Sequence, residues 1–564
     1  MVEPYQDPSN SVQNRVADLL ARLTLEDKAG LMFHDIVVMM PGGQLAGADN
    51  PFGRPATEAA IREMRLNHFN LAGGVNNIRD LVAWHNRVQE LALATGPGIP
   101  VTLSTDPRHS FSNNPGTEAL AGVFSRWPQS LGFAALGDSD LVQRYADVAR
   151  QEYLAAGIRV ALHPQIDLAT EPRWARIGMT FGEDADLTAR LVTAYIRGFQ
   201  GTQLGPASVA TMTKHFPGGG PQQDGEDPHF AYGREQVYPG AQSEYHLKPF
   251  RAAIAAGTSQ MMPYYGMPIG TDWEEVGFAF SHGVITELLR NELGFDGIVC
   301  TDWGLISDGV IMGQPMPARA WGVEHLSELD RVVKIIDAGC DQFGGESRPE
   351  LVVEAVRSGR VSEERIDQSI RRLLREKFVL GLFDQPSLRS TARWRPLAEL
   401  ISWPRARPRN GQRSSGSAPQ TQARQPCPWP ATRRSMSRTL RQPPLPGWAG
   451  WSMIRPTRTW PSFGSTHRTN RAPAGSSRSS TLDRWSLPHR NANGSSRSAG
   501  RCRRSSYSSS TARPSCLRSP TQQPPVGRVR STRRRSRRRV ARRSARPRAT
   551  AVRPTVVDES RRGK

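Results

Sequence analysis

The sequence predicts an α/β protein in which a (β/α)8 TIM-like barrel over residues 1–385 is followed by a disordered Arg/Ser/Pro-rich tail over 386–564. Three observations lead to this prediction. Short apolar runs alternate with helical periods through the first part, as in repeated β/α units around a parallel sheet. Eight such runs occur, which is the strand number of a TIM barrel. The composition then changes after Gly381-Leu382-Phe383.

Each predicted element follows from its own periodicity. Apolar runs bounded by turn residues predict strands at 29–34, 69–74, 100–104, 159–163, 208–213, 260–263, 297–300 and 340–344. Patterns with a period near 3.6 predict helices at 61–66, 81–93, 186–200, 284–293, 349–357 and 366–380.

Charge separates the tail from the barrel. Residues 401–564 hold 38 Lys and Arg but three acidic residues, whereas residues 1–400 hold 36 basic and 49 acidic ones. The formal net charge of +22 therefore describes neither part. A segment so basic and so poor in aliphatic residues cannot bury enough apolar area to offset its chain entropy.

Two interpretations of the tail compete. The Arg clusters at 533–535, 537–539 and 542–543 are typical of an arm that binds nucleic acid or another anionic surface. Alternatively, a GC-rich gene read out of frame yields Arg, Pro, Ser and Ala with almost no Lys, and the tail holds a single Lys. We favour the second interpretation and expect no specific nucleic-acid partner.

Cysteine usage and hydropathy bear on compartment and cofactors. The five Cys residues form no CxxC pair, and the candidate site residues show no metal-ligand spacing, so we expect neither metal nor other cofactor. The first residues lack a basic segment followed by an apolar run, and no long apolar stretch occurs. The sequence therefore predicts a cytoplasmic protein without membrane partners, of unknown oligomeric state.

The strongest motif is GIVCTDWG at 297–304, an apolar strand that ends in Asp302 and Trp303. A carboxylate there lies at the rim where such barrels assemble active sites, although a lone Asp can also cap the next helix. The segment LLRNELGFDGIVCTDWG resembles the nucleophile segment of glycoside hydrolase family 3. This resemblance implies a retaining β-glycosidase in which Asp302 forms a covalent glycosyl ester.

Further blocks resemble the same family in the same order, over about two-thirds of the chain. EPRWAR at 171–176, followed by FGED, implies that Arg176 holds sugar hydroxyls. KHF at 214–216 implies that Lys214 and His215 donate hydrogen bonds to adjacent hydroxyls. Asp106 matches the carboxylate that grips the non-reducing end and so implies exo action. The chain continues there with Pro-Arg-His-Ser, where the family often has His-Gly.

MMPYYG at 261–266 matches a Met and Tyr pair of the family, which implies that Met262 and Tyr265 contact substrate. A Tyr beside the nucleophile can also donate a hydrogen bond to it and hold its pKa low. Residues of both types are equally ordinary in a core, so this alternative stays open. Trp303, beside the nucleophile, is the remaining candidate for substrate binding.

The acid/base is open at this stage. Two-domain members of the family take it from a Glu in a second domain, and nothing in the tail matches that domain. Asp227-Pro228-His229 resembles the Asp-His dyad of single-domain N-acetylhexosaminidases. A β-glucosidase, crippled by loss of the second domain, is therefore the first hypothesis. A β-N-acetylhexosaminidase using Asp227 and His229, or a catalytically dead sugar-binding barrel, is the alternative.

Overall fold

Eight parallel strands close into a barrel in the computed structural model, which describes residues 3–111, 118–311 and 313–388. The strands, in chain order, are β1 Phe33–Met40, β2 His68–Ala72, β3 Thr102–Thr105, β4 Ile158–Ala161, β5 Ala210–Phe216, β6 Gln260–Pro263, β7 Ile298–Trp303 and β8 Gln342–Gly344. Each pairs with the next, and β8 pairs with β1. The predicted (β/α)8 fold is confirmed.

Helices surround the strands, and several of them begin where a side chain accepts from their free backbone N–H groups. Asp184 caps α7 through the N–H groups of Asp186 and Leu187, and Ser327 caps α9. The helices are α1 Val12–Leu20, α2 Leu25–Leu31, α3 Thr57–Arg62, α4 Ile78–Leu93, α5 Ser130–Leu136, α6 Ser139–Ala155, α7 Ala185–Gln200, α8 Ser243–Ala255, α9 Glu328–Ala338, α10 Pro349–Arg357 and α11 Glu363–Val379.

The main core lies between the strands and the surrounding helices. A second apolar cluster includes pairs of residues two apart on one strand face, such as Ala210 with Met212, so these pairs point to the same side. Leu380 and Leu382, which follow α11, belong to the same cluster. Asp384 forms an ion pair with Arg15 at 2.7 Å. The segment after the last helix is thus held against the barrel.

The structure corrects two of the predicted elements. Residues 29–31 end helix α2, and β1 begins only at Phe33, because Thr24 and Asp27 form a capping box that starts the helix upstream. The predicted helix at 284–293 is a π-helical segment, Gly283–Glu292. The other twelve predicted elements each overlap an observed strand or helix whose ends differ by at most four residues; residues 260–263 and 349–357 match without change.

Short elements decorate the carboxyl end of the barrel. Gln44–Leu45 pairs with β1, Glu235–Val237 pairs with Met267–Ile269, and Gly309–Ile311 forms a hairpin with Gln314–Met316. The predicted disordered tail, apart from residues 386–388, lies outside the described residues, so it and its boundary stay predictions. Within the described ranges, none of the helices has the length and apolar character that a bilayer crossing requires.

Candidate active site

The candidate residues gather where the barrel strands end. Lys214 and His215 are near the end of β5, and Asp302 is near the end of β7. Asp106 directly follows β3. All barrel strands are parallel, so these ends meet at one rim, which is where barrels of this kind place their active sites.

Asp302 is 7% exposed. Its Oδ1 accepts from the backbone N–H of Trp303 at 2.9 Å. Its buried Oδ2 has no hydrogen-bond partner in the part of the chain that the structure describes. Nε2 of His215 lies 3.8 Å from this oxygen, too far for a hydrogen bond. One carboxylate oxygen is therefore fixed by the main chain and the other is left for chemistry.

His215 is held by a carboxylate that belongs to none of the sequence motifs. Asp167 is fully buried; its Oδ2 pairs with Nδ1 of His215 at 2.8 Å, and its Oδ1 accepts from the N–H of Gly219 at 2.6 Å. Burial lowers the pKa of His215 to about 4. The imidazole is neutral at ordinary pH, and the acceptor Asp167 assigns the proton to Nδ1. In this protonation state Nε2 accepts a hydrogen bond, whereas the donor role expected from the sequence requires a protonated ring.

Lys214 and Asp106 form a pair beside it. Nζ of Lys214 donates to Oδ1 of Asp106 at 3.0 Å, and Nδ2 of Asn70 donates to Oδ2 at 3.2 Å. The Lys214 side chain is 6% exposed and the Asp106 side chain 18%. Both carboxylate oxygens keep a further lone pair, so this pair can accept from two hydroxyls while the ammonium donates to a third group. Asn70, in β2, carries no motif in the sequence.

Arg176 reaches the same region. It is 7% exposed, and its Nη2 donates to Gln165 at 3.0 Å. Burial opposes its charge, but the neighbouring Tyr264, Asp302 and Asp167 raise the pKa of Arg176 above its ordinary value. Its Nε is buried and has no hydrogen-bond partner in the described ranges. The guanidinium can therefore donate to a ligand at low cost.

The Tyr265 hydroxyl is bonded to the main chain of Trp303. The Tyr265 hydroxyl donates to the Trp303 carbonyl at 2.8 Å and accepts from the Trp303 N–H at 2.9 Å. Burial, and then the charge of Asp302, raise the pKa of Tyr265 well above its usual value. A hydrogen bond between the Tyr265 hydroxyl and Asp302 adds to this rise, so the contact suggested by the sequence exists beside the one with the Trp303 carbonyl. Met262 is 1% exposed and packs in the second apolar cluster.

The loop after β5 carries the predicted dyad. Oδ1 of Asp227 pairs with Nδ1 of His229 at 2.7 Å and accepts from its backbone N–H at 3.0 Å. Burial alone would raise the pKa of Asp227, but the hydrogen bonds to His229 outweigh burial and lower this pKa to about 2. The His229 ring packs edge-on to Tyr265 with centroids 4.7 Å apart. Trp321 donates to the Pro228 carbonyl at 2.8 Å, which fixes the loop.

Similarity to known proteins is extensive over the barrel. Residues 51–376 match the family model described as Glycosyl hydrolase family 3 N terminal domain. Over 382 residues the chain is 60% identical to a probable beta-glucosidase C of Aspergillus flavus, covering 68% of this chain and 60% of that protein. It is 40% identical over 422 residues to a periplasmic beta-glucosidase/beta-xylosidase of Dickeya chrysanthemi, covering 71% and 64%.

Among solved structures, a glycoside hydrolase family 3 beta-N-acetylglucosaminidase from Paenibacillus sp. str. FPU-7 superposes with a TM-score of 0.54 and 26% identity. The match covers 66% of each chain. The chain spans about 60% of the length of the Aspergillus relatives it matches. Because the Dickeya relative is named periplasmic, the cytoplasmic location expected from the sequence stays a prediction.

Proposed function

The chain belongs to glycosyl hydrolase family 3, and from this premise we propose that it is a retaining, exo-acting β-glycosidase, β-glucosidase-like in its preference. Its substrate is a small carbohydrate with a terminal β-glycosyl unit. Asp302 attacks the anomeric carbon, the aglycone leaves with a proton, and water opens the glycosyl ester with net retention.

The observation that supports the proposal most is the geometry of Asp302. One oxygen is tied to the Trp303 N–H, while Oδ2 is buried without a partner among the described residues. A nucleophilic carboxylate needs a fixed orientation and an unoccupied lone pair, and this arrangement provides both.

Around the nucleophile, the buried polar groups suit a polyol. Asp106 and Nε2 of His215 accept, whereas Lys214 and Arg176 donate, so one sugar ring meets both kinds of partner. The Lys214–Asp106 pair offers partners for the hydroxyls of one terminal unit. This is the basis for proposing exo action.

The test is covalent labelling of the full chain with 2,4-dinitrophenyl 2-deoxy-2-fluoro-β-D-glucoside, followed by peptide mass spectrometry. Dinitrophenolate departs without a proton, so labelling does not depend on the acid/base. We expect the label on Asp302. Asp302→Asn should lose labelling and turnover on the order of 10⁴-fold, because an amide cannot form the ester.

Asp272→Asn makes the same chemical change at an exposed carboxylate and is the matched control. It should label like the parent. A label on another carboxylate would remove Asp302 from its role. Tight sugar binding without any label would indicate a sugar-binding barrel without catalysis.

The acid/base decides how active the chain is. If the Asp227–His229 pair does not transfer the proton, the chain is crippled: it cleaves aryl glycosides with acidic phenols but hardly touches cellobiose. The hydrogen bond of 2.7 Å within this pair, and the likeness to the Paenibacillus enzyme, favour a second candidate function, a β-N-acetylhexosaminidase. Comparing kcat/KM for 4-nitrophenyl β-glucoside with that for the N-acetylglucosaminide separates the two candidates.

A further inference from the structure

Glu346, in the loop after β8, bonds to the segment that follows the nucleophile. Its side chain is buried, with the residue 3% exposed. Its Oε1 accepts from the backbone N–H of Ile306 at 2.8 Å and of Ser307 at 3.1 Å. No motif of the sequence analysis includes this residue, and the proposed mechanism does not use it.

The remaining contacts of the same segment leave it little freedom. Arg331 donates to the Ile306 carbonyl at 2.8 Å, and the Gly304 N–H donates to the Gly344 carbonyl at 3.0 Å. The main chain after the nucleophile is therefore bonded on both its N–H and its carbonyl side, and Glu346 accepts the two consecutive N–H groups.

The end of β8 also packs directly on Trp303. A Cβ added at Gly345, the residue before Glu346, would clash with Cδ1 of the indole. The centroid of the His34 ring, in β1, lies 5.4 Å from the centroid of the Trp303 indole. A displacement of Glu346 would therefore be felt at the residue beside Asp302.

Two charged groups act on Glu346 in opposite directions: the Arg54 guanidinium favours its charged form and the Asp35 carboxylate opposes it. Asp35 is 1% exposed, and its Oδ1 lies 3.4 Å from Nε of Arg54. Burial raises the pKa of Glu346 to about 7, although its two backbone donors oppose the shift. A carboxyl oxygen accepts hydrogen bonds in both protonation states, so the two bonds do not require the charge.

We propose that Glu346 is a positioning residue, which fixes the main chain behind the nucleophile through a hydrogen-bond acceptor rather than through its charge. This inference rests on the proposed function of Asp302. It predicts that the length and acceptor capacity of the side chain matter for formation of the glycosyl ester. Sugar binding, which the proposed function places mainly on the ends of other strands, should depend on both much less.

The experiment compares Glu346→Gln with Glu346→Leu in the full chain. Gln keeps the length and one acceptor, whereas Leu has similar size and no acceptor. The measured quantities are the rate constant and the dissociation constant for labelling by the 2-fluoroglucoside. We expect Gln to label within about threefold of the parent and Leu to label at least about tenfold more slowly, with little change in the dissociation constant. A misplacement near 1 Å costs about 10²-fold.

Glu346→Asp keeps the charge but shortens the side chain, so the acceptor lies farther from the two N–H groups. This variant replaces Glu346→Leu in the comparison if the Leu variant does not fold. If Glu346→Gln is labelled faster than Glu346→Asp, the result supports the inference. If Glu346→Asp is labelled as fast as the parent while Glu346→Gln is labelled more slowly, the charge is what matters and the inference is overturned. Equal labelling rates for the parent and the Leu variant also overturn it, as does a loss confined to the dissociation constant. A parent that labels elsewhere than Asp302 defeats the proposed function instead, so the two failures are distinguishable.

Discussion

Two carboxylate–imidazole pairs stand at the same rim with nearly the same bond and different surroundings. Asp167 and His215 are joined at 2.8 Å with side chains 0% and 1% exposed. Asp227 and His229 are joined at 2.7 Å with side chains 29% and 23% exposed. The bond length alone would assign both pairs the same role.

Burial separates the two roles. In the buried pair, the cost of desolvating an imidazolium lowers the pKa of His215 to about 4, so this ring stays neutral and acts as a fixed acceptor. The ring of His229 has access to water and lies on a loop beside Tyr265. A group that must exchange a proton with solvent needs that access. We therefore assign ligand positioning to the first pair and candidate proton transfer to the second.

The largest effect expected from this comparison is at the exposed pair. His229→Gln should lower kcat/KM for cellobiose by about 10²–10⁴-fold, because general acid catalysis is lost, and should leave cleavage of a dinitrophenyl glucoside much less affected. Azide should restore turnover of the dinitrophenyl substrate as the β-glycosyl azide, if the second step is also slowed.

His325→Gln, at an exposed histidine, is the control and should change neither substrate's turnover. Equal losses on both substrates would place His229 in sugar binding. Unchanged cellobiose turnover would exclude the exposed pair as the acid/base and direct the search elsewhere.

At the buried pair, a smaller loss in kcat/KM is expected, and it should not depend on the leaving group. His215→Ala removes a fixed acceptor that the proposal places against a sugar hydroxyl, at about 1–3 kcal/mol, or about 5- to 150-fold in kcat/KM. Because the contact is to the sugar, the loss should be the same for cellobiose and for the dinitrophenyl substrate. The measurement is kcat/KM for both substrates, on His215→Ala and on His229→Gln. A leaving-group-dependent loss at His215 would exchange the proposed roles.

The sequence predicts these two pairs unequally well. Asp227 and His229 are neighbours in the chain, so a motif contains both of them. His215 is predicted, but its partner Asp167 lies in another loop and belongs to none of the motifs that the sequence shows. Asn70, which donates to Asp106, is missed for the same reason. Pairings between strand ends depend on closure of the barrel, which local patterns do not encode.

Local patterns did predict the positions of strand-end residues such as Asp302 and Lys214, because apolar runs fix where each strand ends. They were wrong for β1, where an apolar run belongs partly to α2. They do not give the protonation state of a buried ring or all partners of a hydroxyl. The neutral state of His215 and the attachment of Tyr265 to the Trp303 backbone depend on burial and neighbouring strands.

The smallest expected effect is on stability and tests burial directly. The folded pKa of His215, about 4, lies below its ordinary value of 6.5, so the unfolded chain binds the proton first as the pH falls. This residue therefore costs stability progressively below pH 6.5, by on the order of 2 kcal/mol at pH 5. His215→Gln removes the titrating group, so the difference in unfolding free energy between variant and parent should shift in favour of the variant between pH 7 and 5. Urea unfolding at both pH values measures that shift, and the contributions of other buried histidines cancel in the difference.

The same measurement on His229→Gln completes the comparison: a burial effect must be larger at the ring that is 1% exposed than at the ring that is 23% exposed. An equal shift at both would mean that burial is not what distinguishes the two pairs.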